Sequence, residues 1–172
     1  MAQFSSTNIV PTKQIIAYEF FSGIGGFHTA LKQSCNGHVL KAFEINPKCT
    51  KVYQKNFPST TIVKKTIDSL KLDDLMLEDA VHESLFFWLL SPPCQPFTRS
   101  RRSVDNNVDD NDTRTKGFIH LIENLLSKIC SSKNIKHRKP DVIFIENVVG
   151  FENSRTRARI LKILVEKLGY QS

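Results

Sequence analysis

Ile15-Ile16-Ala17-Tyr18-Glu19-Phe20-Phe21 is an almost unbroken apolar and aromatic run, and it stops at Ser22-Gly23-Ile24-Gly25-Gly26-Phe27. Apolar residues at consecutive positions, bounded by a glycine turn, predict a strand buried on both faces, as in parallel sheets. The residues from about 26 to 34 then predict a helix that ends before Asn36-Gly37. Residues 39–43 predict a second short strand. Pro47 opens a helix over about 47–56, because proline suits a first helical turn. Residues 60–63 give a weak third strand, and residues 72–80 a helix of mixed composition. Residues 85–90 form a dense apolar strand cut off by Ser91-Pro92-Pro93. Phe118, Ile119, Leu121, Ile122, Leu125, Leu126 and Ile129 recur at helical spacing. Residues 142–145 are another apolar strand, and Ile160, Ile163, Leu164 and Leu168 mark a last amphipathic helix. Strands that alternate with helices predict an α/β fold, a doubly wound parallel sheet with helices on both faces.

The chain has 172 residues, 40% of them hydrophobic and 24% charged, with 7 Gly and 7 Pro. That length suits one domain with one proper core. The composition excludes collagen-like and wholly disordered chains. No apolar run approaches the roughly 20 residues of a membrane helix. Residues 1–13 are polar and read as a loose leader, unlike a secretory signal. Cys35, Cys49, Cys94 and Cys130 form no C-x-x-C pair, so they read as reduced thiols and suggest no metal site. The net charge of +7 suits an acidic partner such as nucleic acid, although solvated lysines alone give the same number.

Five short motifs fall at predicted strand ends, where parallel sheets bind ligands. The glycines of residues 21–27 let backbone approach a ligand, or they simply make a tight turn. Their pattern is G-x-G-G, so a dinucleotide pyrophosphate is not indicated. Glu44, about 20 residues on, can accept from ribose hydroxyls or be an ordinary surface glutamate. Asp68, after Ile67, can meet a ligand or cap a helix that follows it. Cys94 lies among Pro92, Pro93 and Pro96, which pin the backbone. A pinned thiol suits a nucleophile that needs accurate approach, while a buried structural cysteine is the plainer alternative. Glu146-Asn147 follows the next strand at the same sheet edge. A partly desolvated Glu146 would hold its proton and donate it; an exposed strand-end glutamate would not.

In this order, these residues resemble the cytosine-C5 methyltransferases, from about residue 15 to the end of the chain. Residues 19–26 are similar to the family's S-adenosylmethionine loop. Pro92-Pro93-Cys94-Gln95 is similar to its nucleophile motif, and Glu146-Asn147-Val148 to its proton-donor motif. Asn56-Phe57-Pro58, Ser91 through Arg99, and Glu146 through Glu152 resemble the Dnmt2-type tRNA (cytosine-5) methyltransferases. The resemblance implies a Rossmann-like methyltransferase fold with S-adenosylmethionine as cofactor. It implies tRNA as substrate, in the anticodon loop of aspartate tRNA, with DNA as the alternative. A fragment that binds cofactor or RNA without turnover is the reading of another class. Cytoplasm and nucleus are the implied locations.

Residue by residue, the resemblance implies that Cys94 adds to cytosine C6 and that Glu146 protonates or hydrogen-bonds N3. Phe21, Gly23, Ile24 and Gly26 would line the cofactor's methionine side, with Pro92 also among the cofactor residues. Glu44 would hold the ribose, Ile45 would pack on the adenine, and Ile67-Asp68 would meet its amino edge. Asn147 would fix its loop, and Arg99, Arg101 and Arg102, in a polar loop over residues 99–116, would touch phosphates. Residues 14–172 match the N-terminal part of the family's catalytic domain. The family's arginine motif, target-recognition domain and last strands have no counterpart in these residues, which leaves strand 142–145 an expected sheet edge.

Overall fold

A computed structural model describes residues 13–35, 37–77, 83–98, 109–134 and 136–171. Of the expected leader, only Lys13 lies among them. Five strands, β1 (Ile15–Phe20), β2 (Gly37–Phe43), β3 (Thr61–Val63), β4 (Leu85–Leu90) and β5 (Val142–Ile145), form one sheet in the order β3-β2-β1-β4-β5. All four pairings are parallel. The chain builds outward from β1 to β3, then returns to place β4 on the other side of β1. Connections therefore diverge above the β1–β4 boundary and open a crevice at the strand ends.

Side-chain alternation along β1 divides the core in two. Ile16, Tyr18 and Phe20 point into the larger half with Phe86, Trp88 and Leu90 from β4. Their registers match directly, Ile16 opposite Phe86, Tyr18 opposite Trp88 and Phe20 opposite Leu90. Ile15 and Ala17 point to the other face, against Leu31, Val39 and Leu89. All six residues of β1 are buried, as the unbroken apolar run requires.

The smaller face is covered by α1 (Gly26–Ser34) and α2 (Pro47–Asn56). Pro47 opens α2, and the Asn46 side chain accepts from the Lys48 amide at 2.9 Å, a standard N-cap. The larger face is covered by α3 (Lys116–Ile119), a π-helical stretch His120–Leu126, α4 (Ser127–Ser131), and α5 (Arg155–Leu161) with its π-helical continuation Lys162–Lys167. The helix over the 118–129 apolar positions is thus present, with a widened middle. Ser127 Oγ donates to the Ile122 carbonyl five residues back, at 3.3 Å.

The expected helix over residues 72–80 is not formed in its described part. Leu72–Leu75 is a single 3-10 turn, and residues 78–82 lie outside the described residues. Leu75 and Leu77 are both buried in the same core cluster, a two-residue spacing that a helix would put on different faces. The Leu77 amide then donates to the Lys136 carbonyl, which draws the chain out of helical geometry. β5 is an edge, as expected: it pairs with β4 alone and leaves Val142 and Phe144 exposed.

Candidate active site

The carboxyl end of β1 turns sharply. Phe21 has φ 55°, a left-handed conformation that costs a β-carbon-bearing residue of order 1–3 kcal/mol. Gly23 follows with φ 53° and Gly25 with φ 94°. A β-carbon on Gly25 would lie 2.5 Å from Phe57 Cε2, so both space and dihedral demand glycine there. The Gly23 amide donates to Glu44 Oε2 at 2.9 Å, and the Asn46 amide to Glu44 Oε1 at 2.8 Å. Glu44 at the end of β2 therefore clamps the glycine turn while standing beside the crevice.

A hollow of about 210 Å³ opens there, lined in part by Phe21, Glu44, Ile45, Ile67 and Asp68. Five of the expected cofactor residues thus come together on one cavity. Gly23 and Gly26 belong to the turn beside it rather than to its lining, and Ile24 is exposed. Pro93, not Pro92, is the proline on the wall; the Pro92 carbonyl accepts from Asn147. Thr113, Arg114 and Gly117 also line it, with Gly117 of α3 close against Ile67 and Phe21; Thr113 and Arg114 fall in the polar stretch that carried no sequence signal for the hollow. Asp68 does not cap the following turn, where Asp74 instead accepts from the Lys71 amide at 2.9 Å. The two polar alternatives for Asp68 therefore separate in favour of the cavity wall.

Apolar walls for a flat ring, a carboxylate for hydroxyls and a second carboxylate at the far rim suit an adenosine-like group. The Ser22 hydroxyl in the glycine turn is buried without a hydrogen-bond partner and lies off the wall of the hollow. On these observations the residues present fit S-adenosylmethionine.

Cys94 ends the β4 loop and opens the 3-10 turn Gln95–Phe97, half-buried. The neighbouring loop after β5 carries Glu146, whose own amide donates to the Leu90 carbonyl at 2.9 Å. The Asn147 side-chain amide donates to the Pro92 carbonyl at 3.2 Å, so it ties the two loops together. Phe151 packs edge-on against Phe97 at 5.1 Å, a second tie between them. Glu146 is exposed, which is the plainer of its two readings; the described residues supply no desolvation for it. Arg99, Arg101 and Arg102 lie outside the described residues.

Behind the glycine turn lies a buried polar cluster. Glu19, 1% exposed, accepts from the Phe27 and His28 amides at 3.1 and 3.3 Å and from the Tyr53 hydroxyl at 2.7 Å. His28 Nδ1 is 2.9 Å from that hydroxyl. Glu19 thereby caps α1, whose own N-cap, Gly25, has no side chain to do so. Burial pushes the Glu19 carboxyl up to about 7 and the His28 imidazole down to about 4. Tyr53 is raised as well, first by burial and then by Glu19. An acid inside an apolar strand was the visible signal for this cluster; its partners on α1 and α2 carried none. Among the described residues, no group of three or more His, Cys, Asp or Glu side chains can hold a metal, and no helix is long and apolar enough to cross a membrane.

The family described as C-5 cytosine-specific DNA methylase matches residues 15–172. The chain is 36% identical over 156 residues to the Bos taurus tRNA (cytosine(38)-C(5))-methyltransferase, covering 90% of this chain and 35% of that protein. It is 36% identical over 162 residues to a Dictyostelium discoideum DNA (cytosine-5)-methyltransferase, covering 92% of this chain and 38% of that one. The structure of the Entamoeba histolytica methyltransferase EhMeth superposes with a TM-score of 0.69 at 34% identity, over 90% of this chain and 44% of that one. The chain thus spans well under half the length of these relatives.

Proposed function

The chain belongs to the C-5 cytosine-specific DNA methylase family, and from that premise we propose that it carries the catalytic chemistry of a tRNA cytosine-C5 methyltransferase. The observation that supports this best is the Asn147–Pro92 bond, which sets the Cys94 turn and the Glu146 loop side by side at the ends of adjacent strands. The hollow with Glu44 and Asp68 opens beside them, with Pro93 on its wall. S-adenosylmethionine, when bound, supplies the methyl group. Glu44 would hold its ribose, Ile45 would cover its adenine, and Ile67-Asp68 would meet the adenine's amino edge.

Cytosine C5 is a poor nucleophile. The Cys94 thiolate adds to C6 and forms a sulfur–carbon bond, while the C5=C6 electron pair moves to make C5 nucleophilic. Glu146 donates a proton or hydrogen bond to N3, where charge develops. After C5 is methylated, water takes the C5 proton, the electrons of that bond restore C5=C6 and expel the Cys94 thiolate, and Glu146 recovers the proton it gave to N3. A base inside a stacked helix cannot reach Cys94, so the target must be flipped out or lie in a loop. Glu146 is exposed in this chain, so a docked base and its strand must exclude the water around it. For tRNA over DNA, the support is the activity for which the bovine relative is named; the Dictyostelium relative carries the DNA alternative. The expected locations, cytoplasm and nucleus, follow the same resemblance.

The test is labelled S-adenosylmethionine with tRNA and with duplex DNA, using the 172-residue chain and Cys94→Ala. Transfer to tRNA that exceeds transfer to DNA, and that falls by about a thousandfold or more in Cys94→Ala, is the expected result. Cofactor affinity should be unchanged by that substitution. Methyl transfer that survives Cys94→Ala overturns the mechanism. Saturable cofactor binding without transfer to either nucleic acid replaces it with a non-catalytic binding role.

A further inference from the structure

Asp109 lies fifteen positions after Cys94 in sequence, and its carboxylate is spent on a helix 46 residues further on. Oδ2 accepts from the Arg155 amide at 3.0 Å. Oδ1 accepts from the Thr156 amide at 3.0 Å and from the Thr156 hydroxyl at 3.2 Å. These are the first two amides of α5. The third, that of Arg157, donates to the Ser154 hydroxyl at 3.0 Å, so the helix already owns a local N-cap. A distant carboxylate adds charge to the positive end of the helix, and it also fastens two separate parts of the chain.

What it fastens matters for the site. The turn over residues 109–115 is knit to itself: the Thr115 hydroxyl donates to the Asp109 and Asp112 carbonyls at 3.1 and 2.7 Å, and the Arg114 amide donates to Asp112 at 2.9 Å. It therefore moves as a unit, and Thr113 and Arg114 on it form a wall of the cofactor hollow. At the other end of the clamp, α5 follows directly on the turn Val149–Asn153, whose Phe151 packs on Phe97 beside Cys94 and on Phe118 of α3. That turn continues the Glu146-Asn147-Val148 loop.

We propose that Asp109 is a positioning residue for methyl transfer, pinning the cofactor wall at Thr113–Arg114 to the helix that carries the Glu146 and Phe151 side of the site. This rests on the methyltransferase reading above. Without the carboxylate, the direct link between the 109–115 turn and the start of α5 is lost; Phe151 on Phe118 and Arg159 on Glu123 still hold α5 near α3, so the alignment loosens rather than fails. Misplacement of about 1 Å between reacting groups can cost about a hundredfold in rate. Cofactor affinity should change little, because Glu44, Ile45, Ile67 and Asp68 do not depend on the clamp.

The test compares the chain with Asp109→Ala, Asp109→Asn and Ser154→Ala. It measures single-turnover methyl transfer to tRNA at saturating S-adenosylmethionine, cofactor Kd by calorimetry, and melting temperature. Asp109→Ala should slow transfer about tenfold or more with Kd changed less than about threefold. Asp109→Asn keeps an acceptor for Thr156 and should fall in between, which also carries the test if the alanine variant does not fold. Ser154→Ala removes a cap from the same helix, and a hydroxyl bond to the Phe151 carbonyl, without cutting the Asp109 link or the Phe151 ring contacts; it should lower the melting temperature yet leave the rate within about twofold. Wild-type transfer with an unaltered Asp109→Ala rate, or an equal loss in Ser154→Ala, overturns the proposal alone. A wild-type chain that transfers nothing overturns the methyltransferase reading, and this proposal falls with it.

Discussion

β1 and β5 are parallel strands of one sheet, and both lead into a proposed functional loop, yet they are built differently. β1 is paired on both sides and buried at every position, whereas β5 is paired on one side and leaves Phe144 52% exposed. The loop after β1 is held from behind by Glu19, from the side by Glu44, and from below by Phe57 against Gly25. The loop after β5 is held by Asn147 and Phe151, with Glu146 in solvent. The half assigned to the cofactor is thus completed by local packing. The half assigned to the reacting base leaves its proton donor open to whatever docks there.

The largest expected effect follows from the buried side of that contrast. Phe20 is fully buried, stacked on Phe43 with centroids 4.5 Å apart and tilted against Trp88 at 4.9 Å. Phe20→Ala should cost about 3–5 kcal/mol in chemical denaturation, since the rigid sheet around it can collapse only partly into the gap. It sits one residue before the strained Phe21, so the cofactor turn should loosen with it. A loss under about 1 kcal/mol would show that β1 is not the rigid half.

A second, smaller effect comes from the buried cluster that braces the cofactor turn. Glu19 has a folded pKa of about 7, raised by burial above its ordinary value of 4.5. The folded state therefore binds its proton more tightly. This contribution to stability is present below pH 4.5 and is lost as pH rises toward 7. His28 is shifted the other way, from 6.5 to about 4, so its contribution grows as pH rises from 4 to 6.5. The two slopes oppose each other over most of the same range. Tyr53 links them, because its single proton can go to an ionised Glu19 or, once Glu19 is protonated, to neutral His28. Wild-type stability should thus vary little between pH 4.5 and 6.5. Glu19→Gln removes one slope and should reveal stability that climbs by as much as about 3 kcal/mol across that range, measured by urea unfolding at stepped pH. A variant as flat as the wild type would mean that His28 is not held neutral.

The same contrast explains what could be read from residues alone. The unbroken run at 15–21 fixes a doubly buried strand, and with it the glycine turn at the sheet edge. Glu44 was open between a ribose contact and an ordinary surface glutamate until the Gly23 and Asn46 amides were seen to donate to it, and Asp68 was open until the 72–75 turn proved to be capped by Lys71 with Asp74 reaching back to it. The 72–80 segment misled because mixed composition suits a helix, while the spacing of Leu75 and Leu77 is what the core selects. The exposure of Glu146 was one of the two readings its place at a strand end left open, and only groups packed over the loop, not neighbours in sequence, could have decided for burial. Asp109 looked like one acid among several in a polar stretch. Its value comes from meeting α5, a contact between segments 46 residues apart that no local pattern announces.

The smallest expected effect is on the open edge. Phe144 stands opposite Leu89 in the β4–β5 register and touches Phe27 edge-on at 5.4 Å, with half its surface in water. Phe144→Ala removes one partial aromatic contact and little buried area, so it should cost less than about 1.5 kcal/mol. The same ring, beside Val142 on a strand paired on one side only, exposes apolar surface next to an open edge that can pair with other chains. Phe144→Lys should therefore lower light scattering on concentration while barely moving the unfolding midpoint, because a charge at an edge blocks pairing without disturbing the core. If that substitution instead destabilised the chain as much as Phe20→Ala, β5 would belong to the rigid half, and the division between a self-braced cofactor side and an open base side would fail.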